Sequence, residues 1–177
     1  MSRTFRDAVL MLAKRHAFAR RLVNSGRLSL PATLLASPLN TPDTTPFAPY
    51  MAPGSPAADA AVSGAGGSWL LDYLGNGFTL LIFAEGVPAP GLLRDLAALG
   101  ADPIACSGVL VGTTGGAVPA GTCCIAAASG ALAGRYDARP GTTYLFRPDQ
   151  HVCARWRAFD LTQTRAAIAR ATAQYVH

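Results

Sequence analysis

Apolar and polar positions along the chain recur with two different periods, and the switches between them mark out the elements. Between Ser2 and Asn24, Phe5, Val9, Leu12 and Leu22 recur at near-helical spacing while Arg3, Arg6, Lys14, Arg15 and Arg21 take other faces, which predicts a basic amphipathic helix. Asn24, Ser25 and Gly26 supply its stop. Trp69 to Leu74 and Phe78 to Phe83 read as strands joined across Gly75-Asn76-Gly77, a hairpin signal because Asn and Gly tolerate positive φ. The second run is apolar on both faces, as in a strand covered from both sides. Leu92, Leu93, Leu96 and Leu99 form a helical stripe over Gly91 to Leu99, with Gly100 as the stop, and Ile104 to Val111 reads as another buried strand. Thr142 to Phe146 and His151 to Trp156 predict a second hairpin across Arg147-Pro148-Asp149-Gln150. Asp160 is an N-cap with Gln163 three residues on, and Leu161, Thr164, Ile168, Ala171 and Tyr175 carry a final helix. Gly112 to Gly134 is rich in glycine and alanine and gives no clear period.

From Pro31 to Gly67 the pattern dissolves. Seven prolines, from Pro31 to Pro56, stand among Ser, Thr, Ala and Gly. Each removes a backbone donor and restrains its predecessor, so neither a helix nor a central strand is expected there. The chain thus divides into residues 1–67, a helix and Pro/Gly-rich arm, and residues 68–177, whose element order predicts an α/β fold: a thioredoxin-like mixed sheet flanked by helices. Gly64-Ala65-Gly66-Gly67 is not a dinucleotide loop, because it follows the arm instead of a strand and Trp69 stands where the last glycine belongs.

Composition narrows the function. With 177 residues, half of them apolar and 14% charged, the chain has room for one domain and an arm but not for a two-domain cofactor enzyme. No run approaches the roughly 20 apolar residues of a membrane span, and Ala8 to Ala13 is too short for a secretory signal, so a cytoplasmic protein without membrane partners is expected. Four cysteines without framework spacing fit a reducing compartment. The net charge of +5 is concentrated at the two ends, Lys14 is the single lysine, and no basic stripe with interleaved aromatics exists, which argues against a nucleic-acid partner. The arginine-rich, alanine-rich usage reads as coding bias of a bacterial-like kind.

Candidate chemistry is sparse. A thiol oxidoreductase needs two cysteines flanking two residues at a helix start, and no such motif occurs. Cys123 and Cys124 are adjacent, a poor redox couple, while Cys106 and Cys153 sit in apolar strands and read as buried. His16 and His177 lie in the terminal arms, leaving His151 and Cys153 without a third metal ligand. No GxSxG elbow is present. The densest stretch is Arg147 to Trp156. It reads as a hairpin with a local Arg147–Asp149 pair and with Val152, Ala154 and Trp156 facing the core, or else as an Arg and Trp surface for a partner subunit.

The runs Leu70-Leu71-Asp72-Tyr73-Leu74-Gly75-Asn76-Gly77-Phe78-Thr79-Leu80-Leu81, Tyr144-Leu145-Phe146-Arg147-Pro148-Asp149-Gln150-His151-Val152 and Ala154-Arg155-Trp156 resemble the C-terminal region of flavin-dependent aromatic hydroxylases, the phenol hydroxylase and 3-(3-hydroxyphenyl)propionate hydroxylase group. Ser37-Pro38-Leu39-Asn40-Thr41 and Ala52-Pro53-Gly54 are similar to that family's connecting arm, and the Arg-rich opening helix to the last helix of its catalytic part. The resemblance implies a thioredoxin-like terminal domain without redox cysteines, associated with subunit contacts. In that family FAD is held by a separate Rossmann-type domain, whose GxGxxG and Gly-Asp motifs are not found here. The expectation is therefore a subunit-association module with no cofactor, no catalytic residue and no metal ligand of its own. It would form a homodimer whose arms wrap the neighbouring subunit, or pair with a separate flavoprotein. Candidate interface residues are Phe5, Val9, Leu12, Arg147, Arg155 and Trp156. Two alternatives stay open: a module binding a phenolic or apolar ligand between arm and globule, and a thiol or peroxide enzyme using Cys106, Cys123 or Cys124.

Overall fold

The computed structural model describes Met11, Leu12, His16 and residues 31–113 and 116–174. Most of the expected opening helix, including Phe5 and Val9, lies outside the described residues; Met11 and Leu12 are helical, and the His16 amide donates to the Leu12 carbonyl at 2.9 Å. Residues 1–32 and 33–177 form separate compact units.

The second unit is built on a mixed seven-stranded sheet. Its strands are β1 (Ala61–Gly64), β2 (Gly67–Trp69), β3 (Phe78–Gly86), β4 (Cys106–Thr113), β5 (Thr122–Ala127), β6 (Thr143–Phe146) and β7 (Val152–Trp156), in the order β2-β1-β5-β4-β3-β6-β7. The described helices are α1 (Pro90–Ala101), α2 (Ala131–Arg135) and α3 (Leu161–Ala171). β3, β4 and β5 run parallel, joined through α1 and a loop, while β6 and β7 return antiparallel. This is the expected α/β class, and the β3-α1-β4 crossover followed by the β6-β7 hairpin and α3 is consistent with a thioredoxin-like arrangement.

Because successive strand residues point to opposite faces, β3 divides its apolar side chains between two cores. Leu80 and Ile82 face Leu96 and Leu99 of α1 and Ala167 and Ile168 of α3. Leu81 and Phe83 face Leu132 of α2, Tyr136 and the arm residues Met51 and Ala60. With both faces covered, β3 is buried from Phe78 to Phe83. The Asp160 side chain caps α3 by accepting from the Gln163 amide at 2.7 Å, as its position in the sequence indicated.

Several expectations are corrected. Trp69 to Leu74 is not a strand paired with β3, since Leu70–Tyr73 forms a 3-10 turn. The Asp72 carboxylate accepts from the Ser68 and Trp69 amides at 3.1 Å each, and this local bonding wins over a hairpin. Gly100 is helical; α1 ends instead at Ala101, because Asp102 precedes Pro103 and is extended. The segment without a clear period contains β5 and α2. The β6-β7 hairpin forms, but an irregularity lies between the Leu145–Ala154 and Phe146–Val152 pairs. This puts Val152 in the core of the arm side and Ala154 and Trp156 in the core of the helix side, not all three on one face.

The arm is not a free linker. It supplies β1, which pairs with both β2 and β5 through a stretch that contains no proline. Upstream it lies along the edge of β7: Thr41 N donates to Cys153 O at 3.0 Å, Gly54 N to Val152 O at 2.7 Å, and Val152 N to Ser55 O at 2.9 Å. Prolines are tolerated there because an edge-covering segment need donate only from some positions. Gly54 has φ +94°, and a Cβ there would run into the Leu34 carbonyl.

Candidate functional site

The densest polar cluster holds the arm against the sheet. β6 and β7 place Tyr144 opposite Arg155, on the face turned toward the arm. Arg155 is 3% exposed, and its guanidinium donates to the Asp43 carboxylate from Nε at 3.0 Å and Nη2 at 2.8 Å, and to the Tyr50 carbonyl from Nη1 at 2.6 Å. Arg157 donates from Nη2 to the Pro46 carbonyl at 2.9 Å and pairs with Asp137. Both cations lie over the Phe47 ring, with the Arg155 and Arg157 guanidinium carbons 4.5 and 3.6 Å from its centroid. Two charges brought this close to an apolar ring need partners, and each has an aspartate.

The titration shifts follow from that packing. Burial alone would lower the Arg155 pKa, but the bonds to Asp43 outweigh it and the guanidinium is held more firmly charged. The Ala48 amide and the Arg157 guanidinium hold Asp137 below the usual carboxylate range. Burial pushes Tyr136 and Tyr144 up, and each hydroxyl donates to a carbonyl: Tyr136 to Ala58 at 2.8 Å, Tyr144 to Tyr136 at 2.7 Å. The two rings meet edge-on, 5.0 Å apart.

Beside this clasp an open hollow of about 570 Å³ separates arm residues Tyr50, Met51 and Ala58 from Ala131, Gly134 and Arg135 of α2. A second hollow, about 230 Å³, lies at the C-terminal ends of β3, β4 and β5, with Glu85, Ser129 and Arg139 among its walls. A third, about 270 Å³, lies beside the Asp102–Arg165 pair.

Of the candidate interface residues, Leu12 is 46% exposed, while Phe5 and Val9 lie outside the described residues. Arg147 pairs with Asp149 at 2.6 Å, as the local reading of the hairpin anticipated. Arg155 and Trp156 are internal, spent on Asp43 and on the helix-side core, so as described they offer no surface to a second chain. Burial pushes the Cys106 and Cys153 thiols up to about 12. Cys123 and Cys124 point to opposite faces of β5, one core each, which keeps them from pairing with each other. Among the described residues no group of three or more His, Cys, Asp or Glu could hold a metal, and no helix is long and apolar enough to cross a membrane. Sequence reasoning missed Asp43, Phe47 and Arg157. The signal available was one aspartate and one phenylalanine inside a run of Pro, Thr and Ser that otherwise had nothing to anchor it.

No family model matches the chain, and no curated protein sequence matches it either. Solved structures do. The flavin-dependent monooxygenase PieE, in complex with FAD and substrate, matches with a TM-score of 0.63 at 22% identity over 90% of this chain and 29% of its own. The fold is shared with part of such flavin enzymes. Aklavinone-11 hydroxylase, in a ternary complex with FAD and aklavinone, matches with a TM-score of 0.55 at 22% identity over 76% of this chain and 25% of its own. RebC-10x matches with a TM-score of 0.58 at 20% identity over 97% of this chain and 28% of its own. The chain therefore spans between a quarter and three tenths of the length of these proteins.

Proposed function

We propose that the chain is a non-catalytic subunit-association module, resembling the terminal domain of flavin-dependent aromatic monooxygenases. The observation that carries this reading is the clasp. Arg155 and Arg157, the most elaborately bonded side chains described, hold the chain's own arm. Side chains committed to internal bonds of this kind suit a domain whose work is done through contact with neighbours and not through chemistry. The elevated Cys106 and Cys153 thiols weigh against a thiol mechanism, since the thiolate is the reactive form.

The partner in this reading is a second copy of the chain. Arm residues 33–60 pack on their own globule, so in this reading the contact is sought in the opening segment, where the sequence predicts a helix carrying Phe5, Val9 and Leu12; Met11 and Leu12 are 60% and 46% exposed. The test is sedimentation velocity on the chain and on Leu12→Glu at micromolar concentration. A dimer that dissociates in the variant supports the reading. A monomeric parent chain overturns the homodimer, and binding to a separate flavoprotein is then the outcome to measure.

A further inference from the structure

The hollow between the arm and α2 has an apolar wall and one basic edge. Its arm wall is anchored at two points by buried groups: Arg155, 3% exposed, holds the Tyr50 carbonyl at 2.6 Å, and the Tyr136 hydroxyl holds the Ala58 carbonyl at 2.8 Å. Between those anchors Met51 is held at φ +54°, a conformation few non-glycine residues adopt and one that concentrates at functional sites. The side chains around the hollow are apolar or small apart from Arg135 and the phenol of Tyr50. Arg135 is exposed, and its guanidinium has no ion pair or hydrogen bond among the described residues; the same holds for Arg139 and Arg170, but of these three only Arg135 lines this hollow. The hollow measures about 570 Å³ and is open to solvent, so a ligand there would keep one side in water.

We propose that this hollow binds a small apolar monoanion, its carboxylate met by Arg135 and its apolar body lying against Tyr50, Met51, Ala58 and Ala131. Charge complementarity selects the occupant: an apolar wall alone would take any hydrophobe, but one cation at its edge, without an ion pair among the described residues, favours a molecule with one anionic end. Methionine and tyrosine suit such a site, the first adapting to irregular shapes and the second offering a polar tip. The inference goes beyond the association reading and fails or stands separately from it.

The test is titration of the full-length chain with octanoate, and in parallel with octanol, its uncharged counterpart, followed by amide shifts in two-dimensional NMR. Octanoate should shift amides of residues 50–51, 58 and 131–135 and bind about two- to fivefold tighter than octanol, the gap narrowing with added salt. Arg135→Gln, a surface change that leaves the fold in place, should abolish the gap while octanol binding stays as it was. Arg170→Gln, which alters an exposed arginine at the end of α3, should change nothing. Shifts scattered over the surface, equal affinity for both probes, or an unaltered preference in Arg135→Gln would overturn the assignment.

Discussion

Removing the Arg155 guanidinium tests the clasp where its energetics are easiest to work through. Arg155→Ala deletes the bonds to Asp43, at 3.0 and 2.8 Å, the bond to the Tyr50 carbonyl, at 2.6 Å, and the cation 4.5 Å from the Phe47 centroid. Breaking a buried pair by deleting one partner costs about 3–5 kcal/mol. The Asp43 side chain is 29% exposed and regains water once stranded, so about 3 kcal/mol applies here. The lost bond to Tyr50 adds about 1 kcal/mol, and the ring contact roughly 0.5 kcal/mol. We expect a loss of about 4–5 kcal/mol, a large part of the 5–15 kcal/mol typical of a domain.

The reverse deletion is more severe for its size. Asp43→Ala removes the shorter and more exposed partner but leaves a guanidinium that is 3% exposed without its counter-charge, so it should cost at least as much as Arg155→Ala. The double variant should then cost less than the two single losses together by about 2–3 kcal/mol. Urea unfolding followed by fluorescence of Trp69 and Trp156 measures all four proteins, with midpoints moving at constant slope. A loss below about 1 kcal/mol for Arg155→Ala, or strict additivity in the double variant, would refute the clasp as a stabilising unit.

Other consequences follow from the same packing. Asp137 has its pKa depressed in the folded chain, so it contributes stability that is present above the unfolded carboxyl value, near 4, and is lost as pH falls through the lower folded value. Asp137→Asn should therefore flatten the acid limb of a stability-against-pH curve, and an unchanged limb would contradict the assignment. Cys106 and Cys153, with thiols near 12, should react with a disulfide reagent at pH 8 only as fast as the chain unfolds, whereas rapid native-state labelling of either would revive the thiol reading. Gly54→Ala should destabilise by about 2 kcal/mol or more in the same urea assay, through its φ of +94° and the collision with Leu34, and a neutral result would mean that the arm adjusts freely.

The parts of the fold legible in the sequence were those where one period dominates a long enough run. Leu92 to Leu99 could hardly be anything but the buried side of a helix, and two short runs with a proline turn between them located the β6-β7 hairpin to within a residue or two. The Asp160 cap was readable because it is purely local. What local pattern could not convey was competition. Trp69 to Leu74 has the composition of a strand, but Asp72 offers its carboxylate to two nearby amides and Gln150, distant in sequence, donates to the Leu74 carbonyl at 2.8 Å. The arm misled for a related reason: prolines exclude regular bonding within a segment but say nothing about bonding to the edge of another strand, and Thr41 and Gly54 do just that. The clasp was the least legible of all. Arg155 and Asp43 are more than a hundred residues apart, and an arginine on a strand gives no sign from its neighbours that it will be buried.

The central claim is that the chain works by association and not by flavin chemistry of its own. Light scattering on a sizing column tests it most directly, with absorbance followed both in the protein band and in the visible flavin band, on chain purified without added cofactor. The account predicts a colourless dimer. A monomer at micromolar concentration, or a peak carrying stoichiometric flavin, would contradict it, the second by placing an enzyme site among residues assigned here to structure.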